Sequence, residues 1–600
     1  MSRFLARVED AIASVAMLAM VVLPLGEIVV RRFSGGGIPG SASMVQHLAL
    51  WVGFLGAAVA ARDGKLLALA TGAFIPAGRP RHLAAVVAGG VSAAIAALLA
   101  WGAIDLVVSE REYGGTMGPG IPTWVAQIAL PISLALIAIR AVWRSSRAWG
   151  GRMVAALGLV AAGIIWQSPA LLEGRAAWPG LLLIAAAGAL GTPIFAILGG
   201  AAVLLFLSEA TPPVLILVKT YTLAVSPTLP AIPLFTLAGF LLAEGKSSER
   251  LLHVFRAWFG WIPGGTAVVC AFLCSFFTVF TGGSGVTILA LGGLLFPALI
   301  KEGYRERFSL GLLTASGSLG LLLPPALPLI VYAVVAQRPI EDMFLGGVLP
   351  GLLLTSLIAA WGVREGLVTG AGRTRFVLGD ALKSIWIAKW ELSMPIVVLG
   401  SIFSGWATPV ESAALIAFYA LVVQTFIHRD LSIRRDLLRV FTECVVIVGG
   451  VLVILGVAVG LTDYLIGAQI PDRLLEWTRT YIDSPLVFLL GLNVFLLVVG
   501  CLMDIFSATV VVVPLIVPIG EAFGIHPVHL GIIFIANLEL GYLTPPVGMN
   551  LFLASYRFNK PMSQVALAAL PMLAILGFGV LVITYVPWLT TGLLEYLGRY

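Results

Sequence analysis

Stretches of about 20 apolar residues, long enough to cross a bilayer as helices, recur along almost the whole chain, and most of the charge sits in the short loops between them. Four fall in the first 148 residues, at roughly 8–31, 45–61, 83–108 and 122–143, and a shorter one follows at 153–167. From about residue 180 the apolar runs divide into two halves, about 180–361 and 392–600, and several are interrupted by Gly and Pro. The pattern predicts an all-α polytopic membrane protein with about 15 to 17 membrane segments, interrupted ones included. Residues 1–148 read as a four-helix module, 149–179 as a fusion helix and linker, and 180–600 as the large module.

The interruptions are duplicated. Ser316 to Val331 reads SGSLGLLLPPALPLIV, and Asn537 to Phe552 reads NLELGYLTPPVGMNLF. At an offset of 221 residues Gly320 falls on Gly541, Pro324 on Pro545, Pro325 on Pro546, Pro297 on Pro518 and Pro350 on Pro571. Apolar segments broken at equivalent places in two halves point to a secondary transporter whose site lies between inverted repeats. Charge agrees with inversion. Lys301, Arg305 and Arg307 crowd one loop while its counterpart carries Glu521, His526 and His529; in the next loop the bias reverses, Glu341 and Asp342 with Arg338 against Arg557 and Lys560. Equivalent loops therefore prefer opposite faces, the basic ones the cytoplasm. Between the halves Arg364, Arg373, Arg375, Lys383 and Lys389 alternate with Phe376, Leu382, Ile385, Trp386 and Trp390, which predicts an amphipathic arm helix at the cytoplasmic interface.

Composition narrows the function. Hydrophobic residues make up 60% and charged residues 11% of the chain, far from the balance of a soluble domain. The net charge of +6, from 36 basic and 30 acidic residues, reports membrane topology and not nucleic-acid binding. The lipid bilayer is the first partner. Cys270, Cys274, Cys444 and Cys501 sit in apolar runs without metal spacing. No nucleophile elbow, Walker lysine motif, zinc motif or catalytic carboxylate pair can be placed, so neither an enzyme nor an ATP-driven pump is expected.

What chemistry there is gathers at the breaks, because backbone freed from a helix at membrane depth survives only where it is buried in protein or lines a polar cavity. Hydroxyls and freed carbonyls are hard oxygen ligands suited to Na⁺, and half-helix N-termini attract a carboxylate. The Na⁺ candidates are Ser284, Gly285 and Thr287; Ser316, Gly317 and Gly320; Asp504, Ser507 and Thr509 at a second break; and Gly541 and Thr544. The substrate candidates are Asn537, Pro324, Pro325, Pro545, Pro546, Gly548 and Asn550. A single Ser or Thr in a membrane helix commonly bonds the preceding turn, and a single Gly commonly serves close packing, so clustering at equivalent breaks carries the expectation. Three acids in apolar surroundings add to the set. Asp504 completes a cation site or supports it from behind, Glu539 is functional or is protonated or paired structurally, and Glu411 is functional or caps the helix after Thr408-Pro409.

Met503 to Ser555, with Gly524-Ile-His-Pro527 and Asn537 to Phe552, resembles the C-terminal signature of the large membrane subunit of tripartite ATP-independent periplasmic (TRAP) transporters. Ile232-Pro-Leu-Phe-Thr-Leu-Ala-Gly239, Ser284-Gly-Val-Thr287, Leu321 to Pro325 and Trp406-Ala-Thr-Pro-Val-Glu-Ser-Ala413 extend the likeness. Residues 1–148 are similar to the small four-helix subunit, in Trp51-Val-Gly-Phe-Leu-Gly-Ala-Ala58 and in Gly120-Ile-Pro-Thr-Trp124 with Ala129-Leu-Pro131. The resemblance implies a fused permease of the bacterial inner membrane, driven by Na⁺, that receives an organic acid from a separate periplasmic substrate-binding protein. It also implies an elevator in which broken hairpins carry the solute past a fixed scaffold. The chain departs from the family at His526, where Asp is frequent, and at Thr281-Gly-Gly283. A carboxylate symporter working without a binding protein, and a membrane scaffold or embedded enzyme, are the alternatives.

Overall fold

A computed structural model of the chain describes residues 3–599 apart from 35, 69–74, 77, 119, 373 and 374. Arg373, counted above with the junction cations, lies outside the described residues. Helix dominates because it satisfies every backbone group within the segment, as a lipid environment demands. Among the described residues twelve helices are long and apolar enough to cross a membrane, and the pair Leu378–Ile387 and Lys389–Phe403, bent by 65°, would make a thirteenth. Six shorter apolar helices take up other expected segments, and two of them, Gly265–Thr281 and Pro527–Gly541, are arms of broken pairs.

The helices form two compact units, Met1–Leu234 with Arg434–Arg473 and Phe235–Ile433 with Leu474–Tyr600. The first holds the four-helix module: Arg3–Ser34, Ser41–Asp63, Arg79–Tyr113, and a fourth that starts as Thr123–Gln127 and continues as Ala129–Ser145. Trp149–Gln167 follows as the linking helix. In the same unit Ser41–Asp63 packs along Leu437–Gly467. Gly56 and Gly449 set that contact, since a Cβ on either would strike the backbone of the other helix, a small-residue seam of the kind that lets membrane helices touch. Thr220 Oγ1 donates to the Gly456 carbonyl at 2.9 Å and Lys219 pairs with Asp463 at 2.7 Å, fastening Val214–Ala224 to the same long helix. Packing thus groups residues 180–234 and 434–473 with the small module, although the sequence assigns them to the large one.

In the second unit the duplication becomes geometry. Gly265–Thr281 and Ser284–Lys301 match Pro485–Leu502 and Ile505–Ala522, while Glu306–Ser316 and Leu327–Val335 match Pro527–Gly541 and Met549–Phe558. The repeats exchange partners. Leu327–Val335 packs on Ile505–Ala522 and Met549–Phe558 on Ser284–Lys301; Glu306–Ser316 packs on Met562–Tyr585 and Pro527–Gly541 on Ile340–Thr369. In these four contacts each half offers the other the same kinds of element, the pattern that a pseudo-two-fold relation produces. Ion pairs join loops that charge assigns to one face, Lys560 with Glu306 at 2.5 Å and Arg338 with Glu521, and Arg599 pairs with Asp342 at 2.7 Å.

The junction differs from its expected extent. Ile340–Thr369 runs through Arg364, whose guanidinium lies over Trp361, 4.4 Å from the ring centre, so this cation closes a spanning helix. The amphipathic helix is only Leu378–Ile387. It rests on a second amphipathic helix, Ser247–Phe259, through Trp258 Nε1 donating to the Ala381 carbonyl at 3.2 Å. Beside it lies a buried ionic cluster. Arg250 reaches Glu391 at 2.6 Å and Asp430 at 2.8 Å, Ser247 Oγ donates to Glu391 at 3.3 Å, and Gln424 Nε2 donates to Ser247 Oγ at 2.8 Å. Burial pushes the Asp430 carboxyl up, but the Arg250 hydrogen bond and charge and the Lys246 amide outweigh it and hold the carboxyl below its ordinary range. That contribution is present above the unfolded pKa of an aspartate and fades as pH falls through the lower folded value.

Two outcomes follow from these arrangements. Arg250→Leu strands Glu391, which is fully buried, and should destabilise the protein by about 3–5 kcal/mol, the cost of breaking a buried pair; the further change Glu391→Leu should restore part of the loss in thermal unfolding. With the four buried cysteines replaced, single cysteines at the exposed positions Lys301 and Glu521 should react with an impermeant thiol reagent from opposite faces. Labelling from one face would disprove inversion.

Candidate functional site

The first break lies at Gly282 and Gly283, between Gly265–Thr281 and Ser284–Lys301. Gly282 stops the helix with φ +63° and donates its N–H to the Thr278 carbonyl at 2.9 Å, a left-handed cap that glycine adopts without strain. The second break of this repeat spans residues 317–326, between Glu306–Ser316 and Leu327–Val335. The two breaks touch. Thr278 Oγ1 lies 2.9 Å from the Gly317 carbonyl oxygen, 2.7 Å from Thr287 Oγ1 and 2.8 Å from the Cys274 carbonyl, and Thr281 Oγ1 lies 3.4 Å from Thr287 Oγ1. Three hydroxyl protons face this set of three hydroxyl and two carbonyl oxygens, so lone pairs outnumber donors. Ser316 Oγ, buried on the adjoining turn, has no hydrogen-bond partner among the described residues. Ser284, buried, begins the helix after Gly283. Gly285 faces Leu553.

The second repeat builds the same backbone with different side chains. Its first break is Met503 and Asp504, so Ser507, Ala508 and Thr509 form the opening turns of Ile505–Ala522 and not the break itself. Asp504 is the N-cap of that helix. Its Oδ1 accepts from the Phe506 and Ser507 amides at 3.0 and 3.1 Å, and Ser507 Oγ donates to Oδ2, which satisfies orphan amides at the start of the helix. Thr509 Oγ1 donates to the Ile505 carbonyl within its own helical turn, at 2.6 Å, and Thr544 Oγ1, in the second break, donates back to the Leu540 carbonyl near the end of the preceding helix at 3.0 Å. The second break, Tyr542 to Gly548, meets the first: Ile505 N donates to Tyr542 Oη at 2.6 Å and Gly548 N to the Cys501 carbonyl at 3.3 Å.

Gly320 and Gly541 serve close approach in equivalent ways. A Cβ on Gly320 would collide with the Ser275 carbonyl and the Val279 amide, and one on Gly541 with the backbone of Gly500, which is Val279's counterpart. The proline turns differ in exposure. Pro324 and Pro325 are buried while Pro545 and Pro546 are exposed, so the second repeat's turn is the more open of the two.

Asn550 bridges the repeats. Its Nδ2 donates to the Thr314 carbonyl at 3.2 Å and to Ser318 Oγ at 3.3 Å, leaving Oδ1 buried and without a partner among the described residues; the carbonyl opposite Nδ2 fixes the amide's orientation. Glu539 is also buried, both its oxygens without a hydrogen bond among the described residues, and the backbone of Leu322 in the other repeat faces it. Asn537 stands apart from the breaks. Its Nδ2 donates to Asn493 Oδ1 at 2.6 Å, and Asn493 Oδ1 also accepts from Thr584 Oγ1 at 3.1 Å, so these side chains clasp three helices. Glu411 closes a capping box with Thr408, the structural alternative of the two open to it. His526 takes the N-cap position of Pro527–Gly541, its Nδ1 accepting from Val528 N at 3.3 Å. Burial and then the Arg338 charge push its imidazole pKa down, favouring the neutral form that can accept this bond.

Sequence reasoning missed Thr278, Tyr542, Asn493 and Ser318. Thr278 was within reach, since it lies three residues before Thr281 and shares its helix face. Tyr542 and Asn493 act through contacts with distant segments that spacing does not reveal.

Residues 181–589 match the "Tripartite ATP-independent periplasmic transporter, DctM component" family, and residues 20–151 match the corresponding DctQ component. Two broken-helix repeats with a fused four-helix module thus belong to the TRAP transporter permease family, both membrane components in one chain. Similar proteins include the isethionate TRAP transporter permease protein DctMQ of Oleidesulfovibrio alaskensis, 33% identical over 508 residues, 82% of this chain and 79% of the relative. The C4-dicarboxylate TRAP transporter large permease protein DctM of Vibrio cholerae is 32% identical over 61% of this chain and 85% of its own length. The sialic acid TRAP transporter large permease protein SiaM of the same organism is 31% identical over 62% and 87%. Among solved structures, the Alcanivorax borkumensis YdaH transporter aligns with a TM-score of 0.48 at 16% identity, over 63% of this chain and 88% of that one. The protein is a multi-pass transport protein of the inner membrane and not an enzyme.

The clasp yields a test of Asn537. Asn537→Leu should lower stability by about 1–3 kcal/mol, because Asn493 Oδ1 loses one of its two donors in a buried place, while the solute concentration for half-maximal uptake stays unchanged. A large rise in that concentration with unchanged thermal stability would return Asn537 to the substrate site.

Proposed function

We propose that this chain couples Na⁺ entry to the uptake of a small organic acid that a separate periplasmic binding protein delivers, the broken hairpins moving with the solute as an elevator. The observation that carries the reading is the surplus of buried, uncharged oxygen acceptors where the first repeat's breaks meet: Thr278, Thr281, Thr287, the Gly317 carbonyl and Ser316. Such a set suits a small hard cation, whose charge would replace the missing donors. The half-helix Met549–Phe558 presents its N-terminus, without a side-chain cap, at the second repeat's break, where partial positive charge favours an anion. The names of the similar permeases, which mention isethionate, C4-dicarboxylate and sialic acid, support an acidic solute. Of the candidates, Thr287, Ser316 and Gly317 belong to the favoured cation set, with Ser284 and Gly285 at its edge. Asp504 and Ser507 support the neighbouring helix terminus, and Gly548 and Asn550 with the exposed Pro545 and Pro546 form the solute side.

The test is uptake by the purified chain in proteoliposomes, screened over organic acids with the cognate binding protein and with or without an inward Na⁺ gradient. Thr278→Val and Thr287→Val should each raise the Na⁺ concentration for half-maximal uptake roughly 5- to 30-fold, the equivalent of about 1–2 kcal/mol for one neutral ligand to a charge. Thr509→Val, whose hydroxyl is bonded within its own turn, should change little. Unaltered Na⁺ dependence in both of the first variants would locate the ion elsewhere. Equal uptake with and without the binding protein would favour a symporter that works alone.

A further inference from the structure

We propose that the arginine-rich end of the four-helix module, which the preference of cations for the cytoplasmic face assigns to that side, binds the phosphate headgroup of an anionic phospholipid from the inner leaflet, with Arg144 and Arg81 as the headgroup ligands. Two concavities flank the helix Ala129–Ser145 near its C-terminal end. One, of about 330 Å³, is lined by Arg62, Ile139, Arg140, Trp143 and Arg144. The other, of about 570 Å³, is lined by Arg81, Ser92, Arg140, Arg144 and Ser145 among apolar residues and glycines. Arg140 and Arg144 belong to both, so the two recesses share one charged ridge.

The arginines are not equivalent. Arg62 is engaged by Glu9, Asp10 and Asp63, and Arg140 by Glu9 and the Ala58 carbonyl. Among the described residues Arg144 gives one hydrogen bond, from Nη1 to the Arg62 carbonyl at 2.6 Å, and no carboxylate lies within ion-pair distance of it. It is exposed, and the rest of its planar fork suits a phosphate's bidentate geometry. Arg81, also exposed, faces the larger recess.

The apolar side of the site faces lipid. Ile139 is 61% and Trp143 50% exposed, and the Arg152 guanidinium lies 4.0 Å from the centre of one Trp143 ring. An aromatic side chain at headgroup level beside cations marks the membrane interface, and basic pockets between membrane helices on the cytoplasmic side are suited to anionic headgroups. A lipid meets both requirements, offering a phosphodiester to Arg144 and Arg81 and acyl chains to Ile139 and Trp143, whereas a free phosphate would leave the apolar wall unused.

The full chain, in nanodiscs of phosphatidylcholine with or without phosphatidylglycerol, tests this by native mass spectrometry after release, counting retained phosphatidylglycerol. Arg144→Ala should cut retention roughly fivefold, the effect of one cation near a membrane surface, and Arg81→Ala should cut it similarly. Arg147→Ala, which removes the same charge from an exposed neighbour, should leave retention unchanged. Equal loss in all three variants would show diffuse attraction, and no loss in both Arg144→Ala and Arg81→Ala would show no site; either overturns the proposal. Inorganic phosphate added to phosphatidylcholine nanodiscs should not shift thermal unfolding, and a shift as large as that from phosphatidylglycerol would overturn the assignment to a lipid.

Discussion

The structure depends on one constraint: a helix interrupted at membrane depth must find partners for its freed amides and carbonyls inside the protein. Each repeat meets it by bringing its two breaks together, through Thr278 on the Gly317 carbonyl in one half and Tyr542 on the Ile505 amide in the other. Close approach is possible only because Gly320 and Gly541 lack side chains where the neighbouring backbone passes. The exchanged half-helices then bury what remains, Leu327–Val335 against one repeat and Met549–Phe558 against the other.

Symmetry of backbone is combined with asymmetry of chemistry. Thr278 and Thr287 correspond to Val499 and Ala508, so the hydroxyl cluster of the first half has no copy in the second. Asp504 corresponds to Gly283, and Glu539 and Asn550 to Ser318 and Leu329. Duplication supplies two breaks that the membrane tolerates, and substitution at matched positions lets each present a different surface. Neutral oxygens gather on one, and a capped helix terminus with an open proline turn on the other.

Charge outside the breaks is used structurally. Arg250 neutralises two acids under the amphipathic helices, and Arg338 and Lys560 tie loops together at either end of the second unit. The small module carries its own network around Glu9 and a glycine seam against Leu437–Gly467, interactions that anchor helices and require no reacting group.

Hydropathy, the offset of 221 residues and the loop charges determined by themselves that this is a polytopic membrane protein built on a duplicated, broken-helix core. Local rules suffice for this, since a bilayer demands apolar length, a break demands Gly or Pro, and cations favour the cytoplasmic face. The positions of Gly282, Gly317 and Gly541 at or beside breaks were legible for the same reason. What each polar side chain does there was decided by tertiary contact. Asp504 became a helix cap and Ser507 its hydrogen-bond partner because the break falls at residues 503 and 504, a boundary that propensity fixes only to within a few residues. Asn537 became part of a clasp because Asn493 and Thr584 arrive from helices 44 and 47 residues away in either direction. Asn550 became a bridge because Ser318, 232 residues earlier, is folded beside it. A buried polar group takes whichever partner the fold brings within 3 Å or so, and sequence spacing carries no record of which partner that is.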